Sequence, residues 1–274
     1  MTAYPGSGPS SQGRTELWSL RDDVRVETEP GDGPVRLRSR WGEVTLPGAT
    51  RHVREALHRM CMGPISLGNV VDGRPGDRAC ALTHLHQVLD RLQPLVIRTL
   101  GLETGQPLLS VVPITARARF RPVSLAPDVY VRLSYFARLR TNGNMYVVES
   151  PLAQHRVLLH RLEAVCVIGG IGGFATVAGV AAAAGQPEAI VADALAYLSA
   201  ARIAIVADTA DGDRPAGIEE PETALAGWLP GDLMFHTRST LGRCQEPVVR
   251  PRRPGTPISL HRPLSVALAD RASP

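Results

Sequence analysis

The sequence contains no lysine, so all 30 of its basic residues are arginines. A Schiff-base lysine, the lysine of a phosphate-binding P-loop and a Ser-Lys nucleophile are therefore excluded for these 274 residues. The formal net charge is only +4, which gives a mildly basic balance and indicates no nucleic-acid partner by itself.

Cysteine is scarce, and its four copies, at positions 61, 80, 166 and 244, show neither CxxC nor Cys/His ligand spacing. This pattern predicts reduced thiols of a cytoplasmic protein and no metal site. The N-terminal residues lack the apolar core of a signal peptide. The longest apolar stretch, 164–185, contains six glycines and is predicted to be a buried segment, not a membrane helix.

Aromatic residues make up only 4% of the chain, so the 44% of apolar residues predict an aliphatic core. Alternating apolar residues at 24–46 and 130–149 predict strands. Within 130–149 they predict two strands joined by a turn at Asn142-Gly143. Helical spacing begins at Thr50 and ends near Gly63. A loop is predicted at 73–77, and the next helix turns Leu82, Leu85, Val88, Leu89 and Leu92 inward.

Each half of the chain repeats an order of amphipathic helix, apolar strand and acidic residue, at 86–103 and 192–209. We therefore predict an α+β fold with two tandem winged-helix-like modules, each of three antiparallel strands and three helices. The predicted divisions are a disordered tail at 1–14, modules at 15–114 and 128–210, and a C-terminal helix with a Pro/Arg-rich tail at 221–274.

The segment VCVIGGIGGFATVAGV (165–180) contains the spacing G-x-G-x-x-A, with Glu188 and Asp193 about twenty residues on, as in a dinucleotide-binding turn. The apolar run before the glycines is a poor strand, however, and two helices at 175–184 and 187–201 follow before any strand. Because a dinucleotide fold needs strand, glycine turn, helix and parallel strand, this order favours a winged helix in which Thr176 caps a helix.

A winged helix also raises DNA binding as an alternative. The helix at 187–201 is interpreted as showing Glu188, Asp193 and Tyr197 outward, and an acidic face repels phosphates. The helix of the first half, with His84, His86, Gln87 and Arg91, suits DNA better but also carries Asp90. Nucleic-acid binding is therefore disfavoured.

No catalytic motif or paired carboxylates are found, and no catalytic residue is predicted. The block FHTRSTLGR (235–243) is more unusual, since a Trp-anchored helix ends there in His, two Arg and hydroxyls. It is either an interface or anion site, with Phe235, His236, Arg238 and Arg243 as interface residues, or an amphipathic helix packed on the second module.

Several blocks together resemble the N-terminal region of SagB-type peptide dehydrogenases, which oxidise azolines in thiazole/oxazole-modified peptides. They are LWSLRDDVRVE, RWGEVTLPG, MGPISLGNV, LLSVVPI, ESPLAQHRVLLHR and GWLPGDLMFHTRSTLGR. The resemblance implies tandem winged-helix modules similar to the RiPP recognition element, a leader-peptide-binding fold, followed by an FMN-binding nitroreductase-like domain. The sequence ends at Pro274, where that domain would begin, so we expect no cofactor in this chain and FMN in a partner subunit.

Such modules bind an extended peptide by strand addition beside a helix. In the first module this implies the edge Glu43-Val44-Thr45-Leu46 with Leu85, Val88 and Leu89. In the second it implies Met145–Val148, above all Tyr146 and Val148, with Val191, Leu195 and Leu198. Plain core packing is the alternative for each apolar residue.

The sequence thus predicts a leader-peptide-binding or scaffold subunit of a RiPP-modifying complex. Its expected partners are the precursor peptide, an FMN-dependent dehydrogenase and a YcaO-type cyclodehydratase, with no nucleic acid and no membrane. The alternative is the non-FMN-binding half of a split azoline dehydrogenase, active only with its partner, and a winged-helix regulator ranks third.

Overall fold

The computed structural model describes residues 14–29, 33–143, 145–207 and 228–240. The described chain mixes helices with antiparallel strands, which confirms the predicted α+β class. The strands are β1 Arg14–Leu20, β2 Arg25–Thr28, β3 Val35–Ser39, β4 Gly42–Leu46, β5 Val96–Leu102, β6 Pro107–Pro113, β7 Tyr130–Leu133, β8 Arg138–Asn142, β9 Met145–Glu149, β10 His155–Leu159, β11 Ala175–Thr176 and β12 Ala204–Ala207. The helices are α1 Arg51–Met62, α2 Pro75–Arg91, α3 Leu162–Gly170, α4 Val177–Ala184, α5 Glu188–Ala200 and α6 Pro230–Thr240.

The strands form three antiparallel sheets. A meander β2-β3-β4 belongs to the first half and a small sheet β11-β7-β12 to the second. The largest sheet has six strands in the order β1-β5-β6-β10-β9-β8. Its β6–β10 pair, which aligns Val111 with Val157, joins the two halves of the chain through backbone hydrogen bonds.

The first half follows its local sequence signals closely. Thr50 caps α1 by accepting a hydrogen bond from the Val53 amide, and the helix ends at Gly63, as predicted. The predicted loop at 73–77 is too long, however, because α2 begins at Pro75. Proline has no amide hydrogen to satisfy and its fixed φ suits the first turn, so it starts this helix instead of ending a loop.

The second half contains one larger departure. The apolar run before the glycines is a helix, α3, and not a poor strand. The next two helices confirm the prediction: the Thr176 hydroxyl caps α4 by accepting from the Gly179 amide at 3.0 Å, and Gly185 ends it at φ 62°. Helices α4 and α5 pack on the small sheet β11-β7-β12, and α3 packs on α4, α5 and the strands β6 and β10. The arrangement is winged-helix-like, and the middle strand β7 precedes all three helices.

Two aliphatic cores lie on either side of the junction between the halves. The first contains Trp18, Trp41 and the fully buried Leu85, Leu89 and Leu92. The second is built from β6, β9 and β10 with α3, α4 and α5, around Val157, Leu159 and Leu195. Of the helices in the described segments, none has the length and apolar character needed to cross a membrane.

Candidate functional site

Strand β4 provides an open sheet edge in the first half. It pairs with β3 alone among the described residues, with Val44 opposite Leu37 and Glu43 opposite Arg38. Glu43 and Thr45 are exposed, Leu46 is half-buried, and Val44 points into the core. The structure therefore places the four predicted residues on a strand whose outer side pairs with no other strand of the described segments.

The helix predicted to accompany this edge is only partly available. Leu85 and Leu89 are fully buried in the first core, so they hold α2 in place and offer no surface to a peptide. Their assignment to a peptide groove is corrected accordingly. Val88 is half-buried at the margin of the same core and is the one predicted α2 residue that keeps an accessible side chain.

The edge predicted in the second half is wrong, because β9 lies inside the six-stranded sheet between β10 and β8. Its backbone groups are used on both sides, with Val148 opposite Val157 on one neighbour and Leu139 on the other. Tyr146 is exposed, but Val148, Val191 and Leu195 are fully buried in the second core. None of these positions offers a docking strand, since that edge is taken by β8.

The glycine-rich segment does not fit the phosphate of a nucleotide. Gly170 ends α3, and Gly172 and Gly173 lie in the turn between α3 and the two-residue strand β11. Strand β11 pairs antiparallel with β7. A dinucleotide turn requires a strand before the glycines and a parallel strand after the next helix, so the spacing is a coincidence.

Helix α5 packs against β1 instead of facing solvent as predicted. The Tyr197 hydroxyl donates to Glu16 Oε1 at 2.8 Å, and the Tyr197 side chain is buried, which corrects its interpretation as an outward residue. Arg14 forms an ion pair with Asp193 and donates to the Ala189 carbonyl at 3.1 Å. This face is therefore covered and is not free to enter a DNA groove.

A cleft of about 340 Å³ lies beside these contacts, between β1, α5 and the segment 122–124. Burial raises the pKa of Asp193 to about 6, against the opposing charge of Arg14. Burial also raises the pKa of Glu16, but the charge and hydrogen bond of Arg98 and the hydroxyl of Tyr197 outweigh it and lower the pKa overall. Sequence patterns missed this cluster because its members are brought together only by tertiary packing.

Helix α6 lies at the end of the six-stranded sheet away from β1. Arg238 donates to the Ser150 carbonyl at 3.4 Å, and the buried Leu233 anchors the helix. Phe235 is 77% exposed, and the His236 ring lies 5.4 Å from the Trp228 ring. Arg243, the fourth predicted interface residue, lies outside the described residues.

Groups with catalytic chemistry are sparse in the described segments, where no set of three metal-ligating side chains occurs together. Ser110 Oγ lies 2.8 Å from His160 Nε2 and 2.7 Å from Thr99 Oγ1. Ser110 and Thr99 are both buried, so this chain of hydrogen bonds satisfies polar groups inside the sheet. Its third member, His160, is half-buried.

Comparison with known proteins supplies the biological context. Residues 131–245 match a family model described as cyanobactin oxidase ThcOx. The matched segment begins in β7 and includes the small sheet β11-β7-β12 and α6. No curated protein matches the chain. Over this segment the chain is similar to an enzyme family that modifies ribosomally synthesised peptides (RiPPs).

Proposed function

We propose that this protein binds the precursor peptide of a RiPP pathway on the open side of β4 and presents it to modifying enzymes. The observation that carries the proposal is that β4 is a sheet edge whose outer side is unpaired among the described residues. The family match supports the peptide-modifying context. In this proposal the oxidising step belongs to a separate FMN-dependent subunit, and the rings are formed by a cyclodehydratase.

The register of the β3–β4 hairpin shows which backbone groups face outward. Its turn has two residues, so the closing pair Ser39–Gly42 exchanges backbone hydrogen bonds, and the bonded pairs then alternate. Glu43 and Thr45 fall on the alternate positions, where N–H and C=O point away from β3. An extended peptide added at this edge can therefore form hydrogen bonds with the backbone N–H and C=O groups of Glu43 and Thr45.

Side chains next to the edge favour an apolar or polar peptide over a strongly charged one. Glu43 is already bonded to Arg38 at 2.9 Å, and Arg38 also bonds Glu27 at 3.0 Å. Because these charges are compensated within the sheet, they contribute little net attraction. Affinity then comes from the backbone hydrogen bonds and from apolar contacts with Leu46, which is half-buried on β4.

Substitution of Thr45 by proline tests the docking edge. Proline removes the outward N–H while leaving the β3–β4 hydrogen bonds intact, and edge strands tolerate it. We expect T45P to weaken binding of a fluorescently labelled leader peptide about tenfold, measured by anisotropy, because an N–H to C=O bond and its strand register are lost.

The matched control is T45A, which shortens the side chain but keeps the N–H and is expected to bind like the unsubstituted protein. Thermal unfolding of both variants establishes that the sheet is intact. Equal peptide affinity for folded T45P and T45A would show that β4 is not the docking strand. No binding by the unsubstituted protein would remove the proposed function itself.

The second candidate is a component of an oxidase, which is favoured by the similarity of residues 131–245 to a family of cyanobactin oxidases. Here the chain completes the active site of a flavoprotein and is required for azoline oxidation. Turnover of an azoline peptide by the flavoprotein alone, unchanged on adding this chain, would exclude that role. Turnover that requires this chain, and that is the same when the T45P variant is added instead, would favour the oxidase role over peptide presentation.

A further inference from the structure

Arginines from separate parts of the chain lie near one another at the end of the six-stranded sheet formed by β10, β9 and β8. We call this set the arginine cluster. Its members are Arg21, Arg138, Arg140, Arg156 and Arg238. Arg21, Arg156 and Arg238 lie in the sequence blocks LWSLR, QHR and FHTR.

Strand register and hydrogen bonds establish the proximity of these arginines. Arg156 and Arg138 lie directly opposite Glu149 on its two sides, so all three side chains share one face of the sheet. Arg238 reaches the carbonyl of Ser150, the residue after Glu149. Arg21 donates to the Pro113 carbonyl at 2.7 Å, next to the start of β10. Burial, together with the charges of Arg40 and Arg156, lowers the pKa of Arg21, so Arg156 lies close enough to act on it.

The charges of this cluster are not balanced. Asp23 is paired with Arg21 at 2.8 Å, and Glu149 is paired with Arg140 at 3.1 Å. The other three arginines, at positions 138, 156 and 238, form no ion pair within the described residues. Five arginines with two carboxylates leave a net charge of +3 at this end of the sheet.

Burial makes this surplus significant. Arg156 and Arg238 are half-buried, and Arg156 Nε is a buried donor with no hydrogen-bond partner in the described chain. A buried N–H without an acceptor is destabilising, and like charges in a half-buried place repel each other. Both costs fall when an anion with several acceptor oxygens lies between the guanidinium groups.

We propose that the arginine cluster is a binding site for a phosphate or phosphomonoester group. A phosphate dianion supplies more acceptor oxygens and more charge than a single carboxylate, which would leave two of the three surplus charges uncompensated. Planar guanidinium groups bind phosphate oxygens in pairs, which suits Arg156 and Arg238. The site is independent of the β4 edge and does not rest on peptide binding.

Isothermal titration with inorganic phosphate at constant ionic strength tests the site. We expect saturable binding that R156Q and R238Q each weaken about tenfold, because each loses charge-assisted hydrogen bonds. R138Q, on the exposed edge strand β8, is the third cluster variant and carries little risk to folding. R117Q is the matched control, since Arg117 is exposed and lies outside the cluster, and its affinity is expected to be unchanged.

AMP and FMN in parallel titrations distinguish a phosphomonoester from free phosphate, and acetate reports non-specific charge attraction. Absence of phosphate binding by the unsubstituted protein would overturn the proposal. Equal phosphate affinity of R117Q and the folded cluster variants would also overturn it. Binding of an acidic peptide but not of phosphate, with the same dependence on Arg156, would also overturn it in favour of a carboxylate site.

Discussion

At the scale of single residues, the contacts between β1 and α5 depend on groups held away from their ordinary protonation behaviour. Asp193 is the clearest case, because its side chain is only 20% exposed. The pair with Arg14 does not compensate for that burial, and the pKa rises to about 6. The protonated form is therefore favoured in the folded protein relative to the unfolded chain.

This shift predicts a pH-dependent effect of Asp193→Asn. A raised acid pKa means that the folded state holds the proton more tightly, so the stability from Asp193 is full below pH 3.8 and is lost as the pH rises through 6. Between pH 4 and pH 7, D193N should therefore gain stability relative to the unsubstituted protein, by about 2 kcal/mol. Urea unfolding across this range measures it, and a difference that does not vary with pH would contradict the shift.

At the scale of elements, short-range signals decide where helices begin and end. The Thr176 hydroxyl accepts from the Gly179 amide, which satisfies one of the amides that an α-helix leaves free at its start. Helix α4 has only eight residues, so it depends on this cap and on Gly185 at its other end.

Removal of the cap should be measurable. T176A is expected to lower the free energy of unfolding by about 1 kcal/mol, because the hydroxyl acceptor is lost. T176S keeps the hydroxyl and serves as the control, with a smaller loss. Equal destabilisation by both substitutions would indicate that the methyl group, and not the hydroxyl, is what matters at this position.

At the scale of the whole molecule, the β6–β10 pair makes the two halves share one sheet. Leu159 on β10 is 1% exposed, lies in the second core and is opposite Leu109 on β6. The tryptophans Trp18 and Trp41 lie in the first core, away from it. Their fluorescence therefore reports whether damage in the second core reaches the first.

We expect L159A to cost about 3 kcal/mol through lost burial and the cavity that remains. If the shared sheet couples the halves, L159A should lower the free energy of urea unfolding by the same amount whether unfolding is followed by tryptophan fluorescence or by circular dichroism. A W228F background removes the fluorescence of Trp228, which precedes α6 and belongs to neither core. A fluorescence transition unchanged by L159A would show that the halves unfold separately.

The sequence by itself determined the features that depend on residues close to one another in the chain. Thr50 and Thr176 predicted helix starts, Asn142-Gly143 predicted the β8–β9 hairpin, and the order of helices excluded a dinucleotide fold. The open edge at Glu43–Leu46 was also predictable, since the meander is local and its last strand has no further strand next to it in sequence.

Only the tertiary structure decided which strands become neighbours and which faces are covered. Strand alternation shows that residues 145–149 form a strand but not that β8 and β10 enclose it, so Tyr146 and Val148 were misplaced at an edge. Tyr197 looked exposed because its partner, Glu16, lies 181 residues away. The arginine cluster follows from the same cause: backbone pairing between distant strands brings together charges whose separation in sequence gives no sign of contact.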